Sequence, residues 1–168
     1  MSEALRRARQ LASALGARIS PADQALVASV LTPAELQLFT RMPTFDQRHC
    51  LDVYRTLVRG GYSDPALMRA ALLHDIGKVD DDGRSIPLLY YGLFVVLLRV
   101  APAIYHRAVR DGRGPLRPFV IHAAHDVRGA QLAAHAGSPS ATVAILRDYA
   151  DERGTALTRA LHWADSQN

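Results

Sequence analysis

His74 and Asp75 stand side by side at the end of the apolar run Ala70-Ala71-Leu72-Leu73, and Gly77 and Lys78 follow directly. An adjacent imidazole and carboxylate offer a divalent ion one nitrogen and one oxygen. A lysine beside them can balance the charge of a phosphate. Leu67, Ala70, Ala71 and His74 fall on one face at helical spacing, so the histidine points where the core points. Gly77 is expected to stop that helix, in the left-handed conformation that glycine tolerates.

Other residues of the same kind lie along the chain. His49 shares four-residue steps with Phe45, Val53 and Leu57, which places it on the inward face of its own helix. A lone histidine there is ordinarily a core group bonded to a carbonyl, but the His74-Asp75 pair on the next helix favours a ligand. His122, His125 and Gly129 share one face if their segment is helical throughout, and the glycine lets another backbone or a ligand come close. Asp165 continues the apolar face of Leu157 and Leu161, where a carboxylate is unusual unless paired. Imidazoles and carboxylates facing a core are costly without an ion or a dense hydrogen-bond network. Such a mixed nitrogen and oxygen set suits Mn, Fe, Co, Ni or Zn.

The elements that must position these groups read as helices. Residues 2–15 form an amphipathic pattern with Leu5, Ala8, Leu11, Ala12 and Leu15 on one face, and Gly16 follows as a stop. Ser20-Pro21 and Thr32-Pro33 each pair an N-cap with a first-turn proline, for helices reaching about Leu31 and Arg41. Thr44 with Gln47 fits a capping box for a helix to about Arg59, ahead of Gly60-Gly61. Ser63-Asp64-Pro65 caps the helix that carries His74, over residues 65–76. Gly137, then Ser138-Pro139, then Asp151-Glu152-Arg153-Gly154 punctuate the last third. Leu161 and Trp163 read as core anchors and His135 as a surface residue.

Three segments fit less simply. Asp80-Asp81-Asp82-Gly83 reads as a solvated acidic turn, since its spacing does not continue into a calcium loop. Residues 86–105 approach the ~20 apolar residues that cross a bilayer. Arg99 interrupts them, and a span would put later candidate ligands on the opposite side from His74. A buried or partner-covered element is expected instead, with a membrane-docked lid as the alternative. Residues 106–118, with Arg107, Arg110, Arg113 and Arg117 among glycines and prolines, read as a basic loop. It is either a solvated connection or, through guanidinium matching phosphate, an anion contact.

A chain of 168 residues with 49% apolar and 21% charged side chains is read as a single domain with a proper core, not a disordered one. Residues 1–43 would be its N-terminal helical segment and 86–118 an apolar and basic insertion. The single cysteine, Cys50, excludes an internal disulfide and suits a reducing compartment. The N-terminus lacks an early apolar core and a cleavage site, so no signal peptide and a cytoplasmic location, with peripheral membrane contact as a variant, are expected. The net charge is +4, and Lys78 is the only lysine. No dense basic stripe with interleaved aromatics is present, so no nucleic-acid partner is expected.

Residues 44–80 and 160–165 resemble the HD superfamily of metal-dependent phosphohydrolases, whose pattern is a histidine, a His-Asp pair and a later aspartate. On this chain the pattern falls on His49, His74 with Asp75, and Asp165. The resemblance implies a compact all-α helical bundle around a divalent metal centre, here of about seven to nine helices from the patterns above. It also implies hydrolysis of phosphomonoesters or phosphodiesters, often nucleotides. His49, His74, Asp75 and Asp165 would be the metal ligands and Asp75 and Lys78 the catalytic pair. His125 to Ala130 is similar to the His-Pro-x-x-Gly stretch of the branch that includes dinucleoside-tetraphosphate hydrolases and HD-GYP phosphodiesterases, with Asp126 in place of the proline. That branch carries a His-His pair on the next helix; by register it falls near Tyr149-Ala150, and neither is such a ligand. The GYP motif is also absent. A one-metal site therefore fits better, or a second ion or phosphate held by His122, His125, Arg48 or Arg117.

Two function classes follow. One is a metal-dependent phosphohydrolase acting on a small phosphorylated substrate. The other is a catalytically degenerate HD domain that binds a nucleotide, a partner or a membrane. A two-iron oxygenase of the same fold is weak, because the ligand set is incomplete. Residues 86–105 could serve a homodimer or a membrane contact in either case.

Overall fold

The computed structural model describes residues 16–168, so the helix expected over residues 2–15 lies outside the described residues. Within them the chain is all-α, with nine α-helices and no strand beyond one isolated bridge, Val79 to Ser85. Helices α1 (Pro21–Val30) and α2 (Pro33–Arg41) begin as the sequence indicates. Ser20 and Thr32 each accept from the third residue of the helix, while Asp23 and Glu35 reach back to the cap amide. Helix α3 (Thr44–Arg59) starts differently: Pro43 holds the cap position and Thr44 is already helical, so the expected Thr44 capping box does not form. Gln47 instead donates to the Met42 carbonyl at 2.7 Å.

Helix α4 (Pro65–Leu73) is the centre of the bundle. Its Leu67, Ala70, Ala71, Leu72 and Leu73 are fully buried, as a helix apolar nearly all round must be. Asp64 caps it by accepting from the Leu67 amide at 2.9 Å. Helices α3, α8 (Ser140–Ala150) and α9 (Ala156–Gln167) pack against it. The helix ends at Leu73, three residues earlier than expected. Asp75 adopts φ −99° and ψ 0°, in the sparsely populated bridge region, and Ile76–Lys78 tightens into a 3-10 turn. Gly77 is not left-handed. Its role is a close crossing: a Cβ built there would stand 1.9 Å from the His125 carbonyl oxygen. The 3-10 turn thus lies directly on α7 (Arg117–His135), whose Gly129 faces the His74 carbonyl and the Gly77 amide in return.

A second, smaller core lies under α5 (Leu88–Val100) and α6 (Pro102–Asp111), where Ile86, Phe94, Tyr105, Ala108, Phe119 and Ile121 pack together. This corrects two expectations. The segment read as a basic loop over 106–118 is helical through Asp111, turns at Gly112 with φ +55°, makes a 3-10 turn at Gly114–Leu116, and enters α7 at Arg117. The apolar segment expected to be buried or partner-covered is helical, and on α5 only Phe94 is fully covered among the described residues, which overturns the buried alternative and does not bear on a covering partner. No helix of the described residues is long and apolar enough to cross a membrane.

The acidic turn is also more than a solvated loop. Asp80 is buried and pairs with Arg117 at 2.7 Å, while Asp82 and Asp81 pair with Arg117 and Arg128 at 2.7 Å each. Leu161 is a core residue as expected, but Trp163 is 43% exposed and lies over Gly60 and Tyr62 instead of anchoring the core.

Candidate metal centre

Four helices and the 3-10 turn bring their polar groups to one point. Helix α3 supplies His49 and Asp46, the end of α4 supplies His74 and Asp75, the turn supplies Lys78, α7 supplies His125, and α9 supplies Asp165. The donor atoms of His49, His74 and Asp75 all lie within 4.8 Å of one another. His49 Nε2 is 2.9 Å from Asp165 Oδ1 and 3.8 Å from Asp75 Oδ2. His74 Nε2 is 3.6 Å from Asp75 Oδ1 and 4.0 Å from Asp165 Oδ1. His125 Nε2 stands 4.0 Å from Asp75 Oδ1 and 3.2 Å from Asp126 Oδ1.

The tautomers can be argued from the backbone. His74 Nδ1 donates to the Ala71 carbonyl at 2.9 Å, so Nε2 carries a lone pair. That Nε2 is buried and has no hydrogen-bond partner. His125 Nδ1 donates to the His122 carbonyl at 2.6 Å, which likewise leaves its Nε2 as an acceptor. An orphaned, buried imidazole nitrogen facing carboxylates is expensive in an empty core and is what an ion would satisfy. Bonds of about 2.0–2.2 Å from a shared ion would draw such donors to roughly 3–4 Å of one another. The residues present therefore fit a divalent ion.

The electrostatics agree with that fit. Burial alone would push the Asp75 carboxyl up, but the charges that His74, His49 and His125 carry when protonated, together with that of Lys78, outweigh it and hold Asp75 below the usual carboxylate range. Asp165 is held low in the same way, against burial, by the hydrogen bond and charge of His49 and the charge of His74. Lys78 donates to Asp75 Oδ2 at 2.6 Å, and despite its burial the carboxylates around it keep it protonated. Cys50 Sγ lies behind the site, 3.8 Å from His74 Nδ1, and burial pushes its thiol up.

Three residues of the site escaped the sequence. Asp46 is buried beside Lys78, at 3.7 Å, and accepts from the Tyr91 hydroxyl at 3.2 Å. Burial raises its carboxyl to about 6, against the pull of Lys78. Its signal was available, since it precedes His49 by one helical turn. Tyr91, from α5, lies under the Lys78 ammonium, 5.2 Å from ring centroid to nitrogen, and no pattern marked it within an apolar run. Tyr149 stands where the His-His pair was sought. Its hydroxyl donates to Asp165 Oδ2 at 2.9 Å, and its ring stacks on His162.

The remaining candidates sit as follows. His122 turns away from Asp75: its Nδ1 meets the Tyr105 hydroxyl at 2.7 Å and its ring lies 4.2 Å from Phe94. Burial, with His125 and Lys78 nearby, lowers it to about 4. The Arg48 guanidinium is held by Asp23 and Asp52, at 3.1 and 2.8 Å. Arg117 is held by Asp80 and Asp82. Neither guanidinium points its charge at the cluster. Comparison with protein-family models, with curated proteins and with solved structures gave no match, so the reading of this site stands on its own geometry and on the sequence motif.

Proposed function

We propose that the chain is a metal-dependent phosphohydrolase of the HD type, acting on a small phosphorylated substrate such as a nucleotide. The observation that carries this reading is the convergence of His49, His74, Asp75 and Asp165 on the unbonded, buried Nε2 of His74, with Lys78 alongside. A divalent ion (Mn, Fe, Co, Ni or Zn) held by those four would polarise a phosphoryl oxygen and supply an activated water near neutral pH. The chain's own groups do the rest. Lys78 fixes one oxygen of Asp75 and leaves the other toward the imidazoles. The same ammonium offers positive charge to a phosphoryl oxygen entering the site. His125, with its Nε2 lone pair on the far side of Asp75, is placed to accept a proton from a nucleophile there. Tyr149 holds Asp165 by its second oxygen.

The experiment is metal content per chain in protein purified without chelator, for wild type and Asp75→Ala, followed by turnover of phosphate esters and nucleotides. About one transition metal per chain, with metal and turnover both lost in Asp75→Ala, is the expected result. Wild type that remains empty after reconstitution with all five metals would overturn the proposal.

One observation favours a second reading, a degenerate HD domain that binds without turnover. Tyr149 occupies the place of an expected ligand, its hydroxyl turned to Asp165. Nucleotide binding without hydrolysis across the same metals would select it.

A further inference from the structure

Helix α5 has two faces with different fates. Tyr91 and Phe94 turn inward, onto Asp46 and His122. Leu89, Leu93, Val96 and Val100 recur at intervals of four, three and four, which makes them one stripe of a helix. Among the described residues that stripe is open to solvent: Leu89 is 87%, Val96 55% and Val100 71% exposed. Ile104, on the first turn of α6, is 58% exposed as well. Single exposed apolar side chains need no explanation, but a contiguous row of them marks a docking surface.

Charge and side-chain type select the occupant. Residues 86–113 contain Arg99, Arg107, Arg110 and Arg113 against a single acid, Asp111. That is a net +3 in one helix pair, out of +4 for the whole chain. Arg110 and Arg113, with Asp111 and Leu116, line an open cavity of about 440 Å³ on this unit, two guanidiniums to one carboxylate. A second copy of this chain would lay that positive surface against itself, because a two-fold interface pairs each patch with its own image. The exposed row is wholly aliphatic and has no tryptophan or tyrosine, the side chains that anchor protein interfaces. An aliphatic stripe on α5 followed by the cations of α6 suits an anionic bilayer, with acyl chains under the stripe and anionic headgroups at the cations.

We propose that α5 and the start of α6 form a peripheral docking surface for an anionic phospholipid bilayer. The stripe enters the acyl boundary, and the Arg110–Arg113 cavity receives headgroup phosphate. Because Tyr91 and Phe94 belong to the same helix, docking would hold the wall of the His49–His74–Asp75 centre against the bilayer. The surface is argued from α5 and α6 alone and stands whether or not that centre hydrolyses anything.

The test is flotation of the full-length chain with vesicles of phosphatidylcholine alone and of phosphatidylcholine mixed with phosphatidylglycerol. Wild type is expected to float with the anionic vesicles only, and less as salt rises. Leu93→Asp combined with Val96→Asp should abolish flotation. Arg110→Glu combined with Arg113→Glu should weaken it at least about tenfold, since each surface cation contributes about fivefold. Leu89→Ser, at the most exposed position, is the mild variant and should give an intermediate loss. Far-UV circular dichroism and the melting midpoint should stay as in wild type for all three. Wild type that fails to float with anionic vesicles at low salt overturns the proposal, as does flotation undiminished by the two aspartates. A concentration-dependent dimer in sedimentation equilibrium that the aspartates dissolve, without flotation, would instead assign the stripe to a second copy and also overturn it.

Discussion

Gly77→Ala tests the crossing that builds the site. The Cβ it adds would lie 1.9 Å from the His125 carbonyl oxygen and 2.8 Å from the Gly129 amide nitrogen. Ordinary contact begins near 3.4 Å, so the 3-10 turn and α7 must part by about 1.5 Å at that point. Both colliding atoms are backbone atoms of the nineteen-residue α7, so no side chain can swing aside. Gly77 does not have a positive φ, so an alanine there is not itself strained and the whole effect is steric. Overpacking that side chains can absorb costs about 1–3 kcal/mol, and a rigid backbone crossing belongs at or above ~3 kcal/mol. The retreat of α7 also carries His125 away from Asp75, and a misplacement of about 1 Å is worth ~100-fold in a reacting geometry. Gly129→Ala is the internal control. Its Cβ would meet the His74 carbonyl at 3.3 Å, a small excess, and alanine regains up to ~1 kcal/mol of helix propensity. Urea unfolding followed by circular dichroism should therefore show Gly77→Ala destabilised by ~3 kcal/mol or more and Gly129→Ala within ~1 kcal/mol of wild type. A Gly77→Ala protein within ~0.5 kcal/mol of wild type, or a Gly129→Ala protein that is the worse of the two, would refute the reasoning.

Asp46 sets a pH dependence in metal-stripped protein. Its folded carboxyl titrates at about 6, raised by burial, against ~3.9 unfolded, so the folded state binds the extra proton and stability falls as pH rises through that window. Asp46→Asn should flatten the melting midpoint there and stabilise on the order of 2 kcal/mol above it; an unchanged profile would locate the titration elsewhere. Asp75 and Asp165 are held low instead, so their contribution is present above ~pH 4 and is lost only as pH falls below it. Arg69→Ala leaves Glu35 fully buried with only Ser138 and the Thr32 amide as partners, and should cost ~3–5 kcal/mol in urea unfolding, partly restored by adding Glu35→Gln. Arg117→Ala, which strips the buried Asp80, should cost about 1–3 kcal/mol, whereas Arg128→Ala, paired with the exposed Asp81, should stay within ~1 kcal/mol. Tyr149→Phe should lower metal affinity about 10–100-fold by calorimetry if Asp165 is a ligand that Tyr149 positions; equal affinity would remove Asp165 from the set.

The helices were legible where side chains signal locally. Ser20, Thr32, Asp64 and Thr155 are caps because a short oxygen-bearing side chain can reach the amide three residues on. The α3 start misled because Thr44 carries the same signal, yet Pro43 before it already supplies the extended residue that opens a helix. The helix over 106–111 was hidden by composition: Arg107 and Arg110 look like a loop's charges, while Tyr105 and Ala108 on the buried face settle the matter by packing. For α5 the pattern failed in the other direction. Length and apolarity are the same for a helix that is buried and one that lies open, and only the placement of the partner elements tells them apart.

The site was legible to the extent that it is written as residue types on inward faces. His49, His74 and Asp165 each lie on an apolar helical stripe, and three stripes that share one core must meet. What the stripes do not contain is the angle between helices, and that angle turns His125 toward Asp75 but sends His122 three residues earlier onto Tyr105. The same limit hid Tyr149. Read by register it was an absence, a tyrosine where a histidine was sought. In three dimensions it is a hydrogen-bond donor to the one carboxylate that reaches the cluster from α9. A tyrosine hydroxyl held by a carboxylate, with its own acidity suppressed by burial and by that carboxylate's charge, stays protonated and cannot act as an anionic ligand. The residue that fills the place of the pair therefore holds Asp165 in position and offers no ligand of its own from α8.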